Sequence, residues 1–297
     1  MIELLIGQRR RSLGGFDVGR VLPYAKRRMV GPFIFFDHMG PVHFEPGIPR
    51  DVDVRPHPHI GLATITYLFA GEIMHRDSIG SVQPIRPGEV NWMTAGRGIT
   101  HSERFERGRR EGGPLHGIQA WVALPTEHEE TEPAFTHYPS DALPTFDDGG
   151  AAGRLIAGEL WGLPSPVETH SPLFYVHWEL GAGAQATLPA DYSERALYVA
   201  SGSIELGNER VAEGHMAVLS PGEPVSFGTE GGRAVVMALG GEPVGHRFID
   251  WNFVSSSKDR IEQAKADWRA GRMPLPVGDD QEWIPLPEEP AAPNPMS

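Results

Sequence analysis

Apolar positions in this chain come in short bursts closed by turn residues. ATITYLFAGE (Ala63 to Glu72), HGIQAWVALP (His116 to Pro125) and FYVHWELGAG (Phe174 to Gly183) are rich in β-branched and aromatic residues and end at Gly or Pro. Such runs read as strands joined by tight turns. The 36 Gly and 28 Pro among 297 residues also favour many short strands over long helices. One helical period stands out late in the chain. In SSSKDRIEQAKADWRAG, Ile261, Ala264, Lys265 and Trp268 share a helical spacing, with Ser256 and Asp259 as a capping-box pair and Gly271 as a stop. From Pro285, PLPEEPAAPNPMS is proline-rich and acidic and reads as an extended or disordered tail.

The strand pattern also repeats. TYLFAGE (Thr66 to Glu72) is similar to LYVASGSIE (Leu197 to Glu205), and IRPGEVNWM (Ile85 to Met93) to LSPGEPVSF (Leu219 to Phe227). A strand ending in Gly, then roughly 15 to 20 residues to Pro-Gly-Glu and another strand, occurs in both halves and signals duplicated architecture. Between Tyr138 and Gly153 the composition shifts to Pro, Asp, Gly and Ala, with DDGGAAG at Asp147 to Gly153, which reads as a loop between two units. The expectation is an all-β chain of two similar barrels, 1–146 and 147–297, the second carrying the C-terminal helix and tail.

Hydrophobic residues at 40% and charged residues at 22% suit a soluble protein with a real core. With 26 Lys and Arg against 39 Asp and Glu, the net charge of −13 repels phosphates and argues against direct nucleic-acid binding. The basic run Arg9 to Arg11 reads as solvated surface. No long apolar run follows the first residues, so neither a signal segment nor a membrane span is expected, and the chain is placed in the cytoplasm. The absence of cysteine excludes disulfides and thiolate chemistry, so a metal must be held by nitrogen and oxygen.

That restriction gives weight to RPHPHIG (Arg55 to Gly61). In a strand, residues two apart share a face, so His57 and His59 present their imidazoles together. Pro56 and Pro58 remove backbone donors and place the segment at a strand end or sheet edge. In GRGITHSERF, His101 and Glu103 form a second such pair, and four ligands can converge if the strands face each other across a small barrel. Three imidazoles and a carboxylate suit iron(II) first, with nickel, manganese, copper and zinc as alternatives, over calcium or magnesium. Taken singly, each pair has an ordinary reading. His57 and His59 can be surface histidines in a proline-rich turn, and Thr100 with Glu103 fits a helix capping box, although RFERGRREGG behind it lacks an apolar period.

Beyond those pairs, FIFFDHMGP (Phe33 to Pro41), RPHPHIGLATITYLFAGEIMHRDSIGS (Arg55 to Ser81), WMTAGRGITHSE (Trp92 to Glu103), LHGIQAWVALP (Leu115 to Pro125) and WIPLP (Trp283 to Pro287) carry a resemblance. Over nearly its whole length the chain resembles the pirins, a subgroup of the cupin superfamily. The resemblance implies two cupin-type (double-stranded β-helix or jelly-roll) barrels, with one metal, usually iron, in the first, held by His57, His59, His101 and Glu103. Thr64 stands where the wider cupin pattern has a glutamate ligand five residues after HxH, a substitution the pirins share. TLPADYSERALYVASGS and SPGEPVSFGTEGG lack the histidines, so the second barrel is expected to be metal-free.

The resemblance further implies a dioxygenase that cleaves flavonols such as quercetin with O₂ and releases carbon monoxide. Glu103 would serve as general base for the flavonol 3-hydroxyl. Gln119 matches a family position near the metal and either orients Glu103 or substrate, or is an ordinary polar strand residue. His38, His75 and His116 either line the pocket or are satisfied locally. Phe33, Phe35, Phe36 and Trp92 either wall an aromatic pocket or belong to the core. A second function class uses the same ligands: some pirins resemble transcription cofactors or associate with metabolic enzymes, with the iron as redox sensor. The acidic charge then favours a protein partner over bare DNA. A third reading is a metal-binding bicupin with another substrate.

Overall fold

In the computed structural model, which describes residues 1–12 and 15–287, the apolar bursts become antiparallel strands. Leu62–Ala70, Gly113–Ala123 and Leu173–Leu180 cover the three segments quoted first. The strands form two compact units. One, the Trp178 unit, takes residues 1–9, 19–38 and 139–244; the other, the His57 unit, takes the described residues of 10–18, 39–138 and 245–287. The chain therefore leaves and re-enters each unit, where the composition shift suggested a single crossing between 146 and 147. The reason is long-range pairing that composition does not encode: Ile2–Gly7 pairs with His215–Leu219 and buries Ile6 completely.

The strands make two pairs of antiparallel sheets, each pair a large sheet with a small one. In the Trp178 unit the large sheet runs Ile2–Gly7, His215–Leu219, Glu194–Ser201, Ala234–Gly241, Leu173–Leu180, Ala151–Leu160, Thr145–Asp148. Its small sheet runs Gln185–Leu188, Val225–Gly228, Ser203–Leu206, Glu209–Ala212. The other pair of sheets repeats the order: Ala134–Tyr138, Val90–Thr94, Leu62–Ala70, Gly113–Ala123, Phe33–Phe44, Asp17–Leu22, Arg9–Ser12 in the large sheet. Val54–His59, Ile99–Arg104, Ile73–Asp77, Val82–Ile85 make the small one. Trp178, Val199 and Val236 from one sheet meet Ile204, Val211 and Phe227 from the other in a single core, the arrangement of a sandwich closed into a barrel. The duplicated all-β architecture is thus present.

One of the two repeat matches is displaced by a strand. Leu62–Ala70 and Glu194–Ser201 do occupy equivalent places, but Pro87-Gly88-Glu89 leads into Val90–Thr94 of a large sheet, and Pro221-Gly222-Glu223 into Val225–Gly228 of a small one. Pro-Gly turns serve any tight connection and carry no information about which strand follows.

DDGGAAG is a hairpin instead of a loop. Thr145–Asp148 pairs with Ala151–Leu160 across Gly149 and Gly150, both at positive φ (61° and 93°), the pair of left-handed positions that a two-residue hairpin turn demands. The late helix spans Lys258–Arg269, and its cap is Ser257, whose hydroxyl accepts from Arg260 N; Ser256 is drawn away to Glu129. Ile261, Ala264 and Trp268 pack on Ile60 and Phe253, so the helical stripe is a packing face. A second, six-residue helix at Glu106–Glu111 buries none of its side chains and so leaves no apolar period to read. Of the tail, Pro285 to Pro287 are described and Leu286 is buried; 288–297 lie outside the described residues. No helix among the described residues is long and apolar enough to cross a membrane.

Candidate metal centre

Val54–His59 is an edge strand of its small sheet, where Pro56 and Pro58 cost no interior ladder bonds. Its one neighbour in the sheet, Ile99–Arg104, sets His101 opposite His57 and Ile99 opposite His59. The register then shifts, leaving Glu103 opposite Val54 on one side and opposite His75 on the other. The capping-box reading of Thr100 and Glu103 is replaced by this strand.

His57, His59 and His101 come together: one ring nitrogen from each lies within 4.8 Å of the others, and all three rings are at least 94% buried by their residue exposures of 6%, 1% and 1%. Burial lowers the His57 pKa to about 4; the bond to the Arg55 carbonyl opposes this and nearby His75 adds to it. Burial and the neighbouring histidines hold His59 and His101 well below the ordinary imidazole value. All three are therefore neutral at physiological pH, the form that ligates a metal.

Their hydrogen bonds fix which nitrogen is free. His57 Nδ1 donates to Arg55 O at 2.9 Å and His59 Nδ1 to Asn252 O at 3.1 Å, so in each neutral ring the Nε2 lone pair is left for the interior. His59 Nε2 lies 3.1 Å from His101 Nε2. Two lone pairs at that distance repel, and a cation ligated by both nitrogens turns the repulsion into bonding. The donor set, all imidazole nitrogen with no thiolate, fits a divalent first-row metal.

Glu103 lies outside the trio. It is partly buried, Thr66 hydrogen-bonds its carboxyl, and burial pushes that carboxyl up to about 7 against the lowering effect of Thr66. Thr66 sits directly across from Gln119 and donates to Gln119 Oε1 at 2.8 Å. A hydroxyl has one hydrogen to give. With that hydrogen on Gln119, Glu103 must hold a proton and donate to Thr66; with the amide turned, Thr66 is free to donate to a carboxylate. Thr66 thus stands between Gln119 and Glu103, bonded to both.

His75, expected to be either pocket-lining or locally satisfied, is beside the trio: its Nδ1 is 3.4 Å from His101 Nδ1 and its Nε2 is 2.9 Å from Asp77 Oδ2. His116 packs at 4.7 Å on the Phe69 ring. His38 belongs to the Trp178 unit, bonded to Tyr198 Oη at 2.7 Å; Phe33 and Phe36 are core residues there, against Tyr175 and Tyr198. Phe35 lies under the Arg20 guanidinium, and Trp92 is buried with its Nε1 on Thr94. Asp77, Thr66, Asn252 and Trp121, whose ring stands 5.0 Å from that of His59, were not singled out in the sequence. For Asp77 the signal was present: His75 and Asp77 are two apart on a strand, the same spacing as the ligand pairs.

The Pirin family model matches residues 15–122 and the Pirin C-terminal cupin domain model residues 175–274. A pirin-like protein from Caulobacter vibrioides is 63% identical over 97% of this chain and 100% of its own length. Human pirin is 31% identical over 90% of this chain and 92% of its own. The crystal structure of quercetin 2,3-dioxygenase from Acinetobacter baumannii superposes with a TM-score of 0.89 at 32% identity, covering 97% of this chain and 96% of that one. With both family models matched in order and the two-barrel cupin fold in place, the chain belongs to the pirin family.

Proposed function

We propose that this protein is a metal-dependent dioxygenase that cleaves flavonols such as quercetin with O₂, using iron(II) held by His57, His59, His101 and Glu103. The observation that carries the reading is three buried neutral imidazoles converging on one point beside a carboxyl whose pKa burial has raised to about 7. The likeness to the Acinetobacter baumannii quercetin 2,3-dioxygenase supports the choice of substrate class. A bound metal would supply a Lewis acid for the flavonol oxygens and a redox partner for O₂.

The rest falls to the chain. Glu103, released from the metal, would take the proton of the flavonol 3-hydroxyl as general base. Thr66 and Gln119 hold that carboxyl in place. Trp121, whose ring stands 5.0 Å from that of His59, supplies an aromatic surface beside the trio.

The test is oxygen uptake with quercetin by the iron(II)-loaded protein and by Glu103→Ala, with metal content determined for both. Turnover by the native protein that falls at least 100-fold in the variant is expected. No turnover by fully loaded native protein overturns the proposal.

A further inference from the structure

Two of the three trio histidines are held by backbone carbonyls, Arg55 O and Asn252 O, which can only accept and so force the proton onto Nδ1. His101 has no such fixed partner. Its Nδ1 faces His75 Nδ1 at 3.4 Å, and an imidazole nitrogen can either give or take a hydrogen. The choice passes outward to His75 Nε2, which meets Asp77 Oδ2 at 2.9 Å.

We infer that Asp77 and His75 are a positioning pair that selects the metal-binding tautomer of His101, doing through a side-chain relay what carbonyls do for His57 and His59. The inference rests on the reading of the trio as a metal site. Asp77 is a carboxylate acceptor, so His75 carries its proton on Nε2; its Nδ1 then accepts, His101 donates from Nδ1, and His101 Nε2 is left as a lone pair. The opposite arrangement, with His75 Nδ1 donating to His101, turns a bare His75 Nε2 toward the carboxylate; a third, with His101 Nε2 donating to His59 Nε2 at 3.1 Å while His75 keeps its bond to Asp77, sets two bare Nδ1 atoms face to face. A hydrogen bond to a charged acceptor is worth about twice a neutral one, so the Asp77 end fixes the His75 proton on Nε2, and the bare His75 Nδ1 this leaves is the acceptor that draws the His101 proton to Nδ1.

Asp77 is itself held in one orientation. Its Oδ1 accepts from Ile79 N at 3.1 Å and from Ser81 N at 2.9 Å, the Ser81 hydroxyl also bonds the carboxyl, and Oδ2 meets His75. Stacking on Phe135, with centroids 4.3 Å apart and planes at 16°, fixes the His75 ring.

This orientation makes Asp77→Asn the telling variant. The two backbone donors claim the amide oxygen, so the NH₂ falls where Oδ2 was and donates to His75 Nε2. His75 must then carry its proton on Nδ1 and donate to His101, whose own proton moves to Nε2 and blocks ligation. His75→Phe keeps the stack on Phe135 but only removes the instruction.

Long-range ¹H–¹⁵N spectra of the metal-free protein read the tautomer directly, and chelator competition with Co(II) reads affinity. Native protein is expected to hold the His101 proton on Nδ1 and Asp77→Asn on Nε2. Co(II) affinity should fall about 10- to 100-fold in Asp77→Asn, and less in His75→Phe. A merely structural role would rank the variants the other way, since Asn is the gentler change. An unchanged His101 tautomer in Asp77→Asn overturns the inference, whether or not affinity falls. Native protein that takes up no Co(II) overturns the metal reading instead, while the metal-free tautomers still decide the pair.

Discussion

In the His57 unit the strands Val54–His59, Ile99–Arg104 and Ile73–Asp77 turn His57, His59, His101 and His75 into the interior. The strands in the same places of the Trp178 unit, Gln185–Leu188, Val225–Gly228 and Ser203–Leu206, send Ala186, Leu188, Val225, Phe227, Ile204 and Leu206 into a continuous apolar core. The same strand order therefore accommodates both interiors. What differs is the support each needs. The apolar interior holds by packing alone. The polar one needs a partner for each imidazole: Arg55 O from the ligand strand itself, Asn252 O from a distant turn, and for His75 the Asp77 carboxylate at the end of its own strand.

Breaking the ligand set separates the interiors most sharply. In His57→Ala combined with His59→Ala, uptake of a divalent metal, read by elemental analysis after dialysis, should be abolished. Stability of the metal-free protein should change little, because these rings are polar groups whose burial is costly to begin with. The corresponding injury to the other interior has the opposite character. Phe227→Ala removes a ring packed at 5.3 Å against Trp178 and should cost about 4 kcal/mol in urea unfolding, with metal uptake untouched.

The support around the polar interior gives the next effect. Arg247 and Glu129 form an ion pair at 2.8 Å, with side chains only 2% and 6% exposed, and Glu129 also accepts from Ser255 and Ser256. That cluster anchors the segment whose Asn252 carbonyl holds His59. Glu129→Ala leaves the Arg247 charge buried without its carboxylate and should cost about 3 kcal/mol. Metal affinity should fall with it, because Asn252 loses its mooring; a variant destabilised by that amount but binding metal as before would separate the anchor from the site.

Much of this was legible in the sequence. Two HxH-type spacings and a run of β-branched segments identify the trio and the all-β class, because strand alternation is local and needs only two residues of context. Glu129 and Asn252 were not legible: their roles depend on partners more than a hundred residues away, Ser256 from Glu129 and His59 from Asn252. Nor was the interleaving of the units, since nothing local in MIELLIG says that its strand pairs with His215–Leu219. The displaced Pro-Gly-Glu match and the Gly149-Gly150 hairpin show a related failure. Turn residues report that the chain reverses but not what it reverses between.

The smallest effect concerns the outer faces of the ligand strands. Ser102 and Arg104 alternate with His101 and Glu103 and reach Asp279: Ser102 Oγ at 2.6 Å, Arg104 Nε at 2.7 Å and Nη2 at 2.6 Å. The next residues continue along the edge strand, where Ile284 N donates to Pro56 O at 2.8 Å. In the Trp178 unit the comparable outward residue, Ser226, bonds to the exposed Thr187 across the strands at 3.0 Å. Burial pushes the Asp279 carboxyl up, but the bonds from Arg104 and Ser102 and the charges of Arg104 and Arg76 outweigh it, holding the pKa below the ordinary carboxylate range. A depressed folded pKa contributes stability that is complete above the unfolded value, near 4, and is lost as pH falls through the lower folded value. Asp279→Asn should therefore be less stable than the native protein by about 1 kcal/mol at pH 6, a figure kept small by the partial exposure of Asp279. The gap should begin to narrow as pH drops below about 4, where the unfolded carboxyl takes up a proton, and close below the lower folded value, where the native carboxyl does so too and becomes the equal of the amide. A gap that persists unchanged into acid would mean that the shape of this strap, and not its charge, secures the ligand strands, and the outer faces of the two small sheets would then differ less than their interiors.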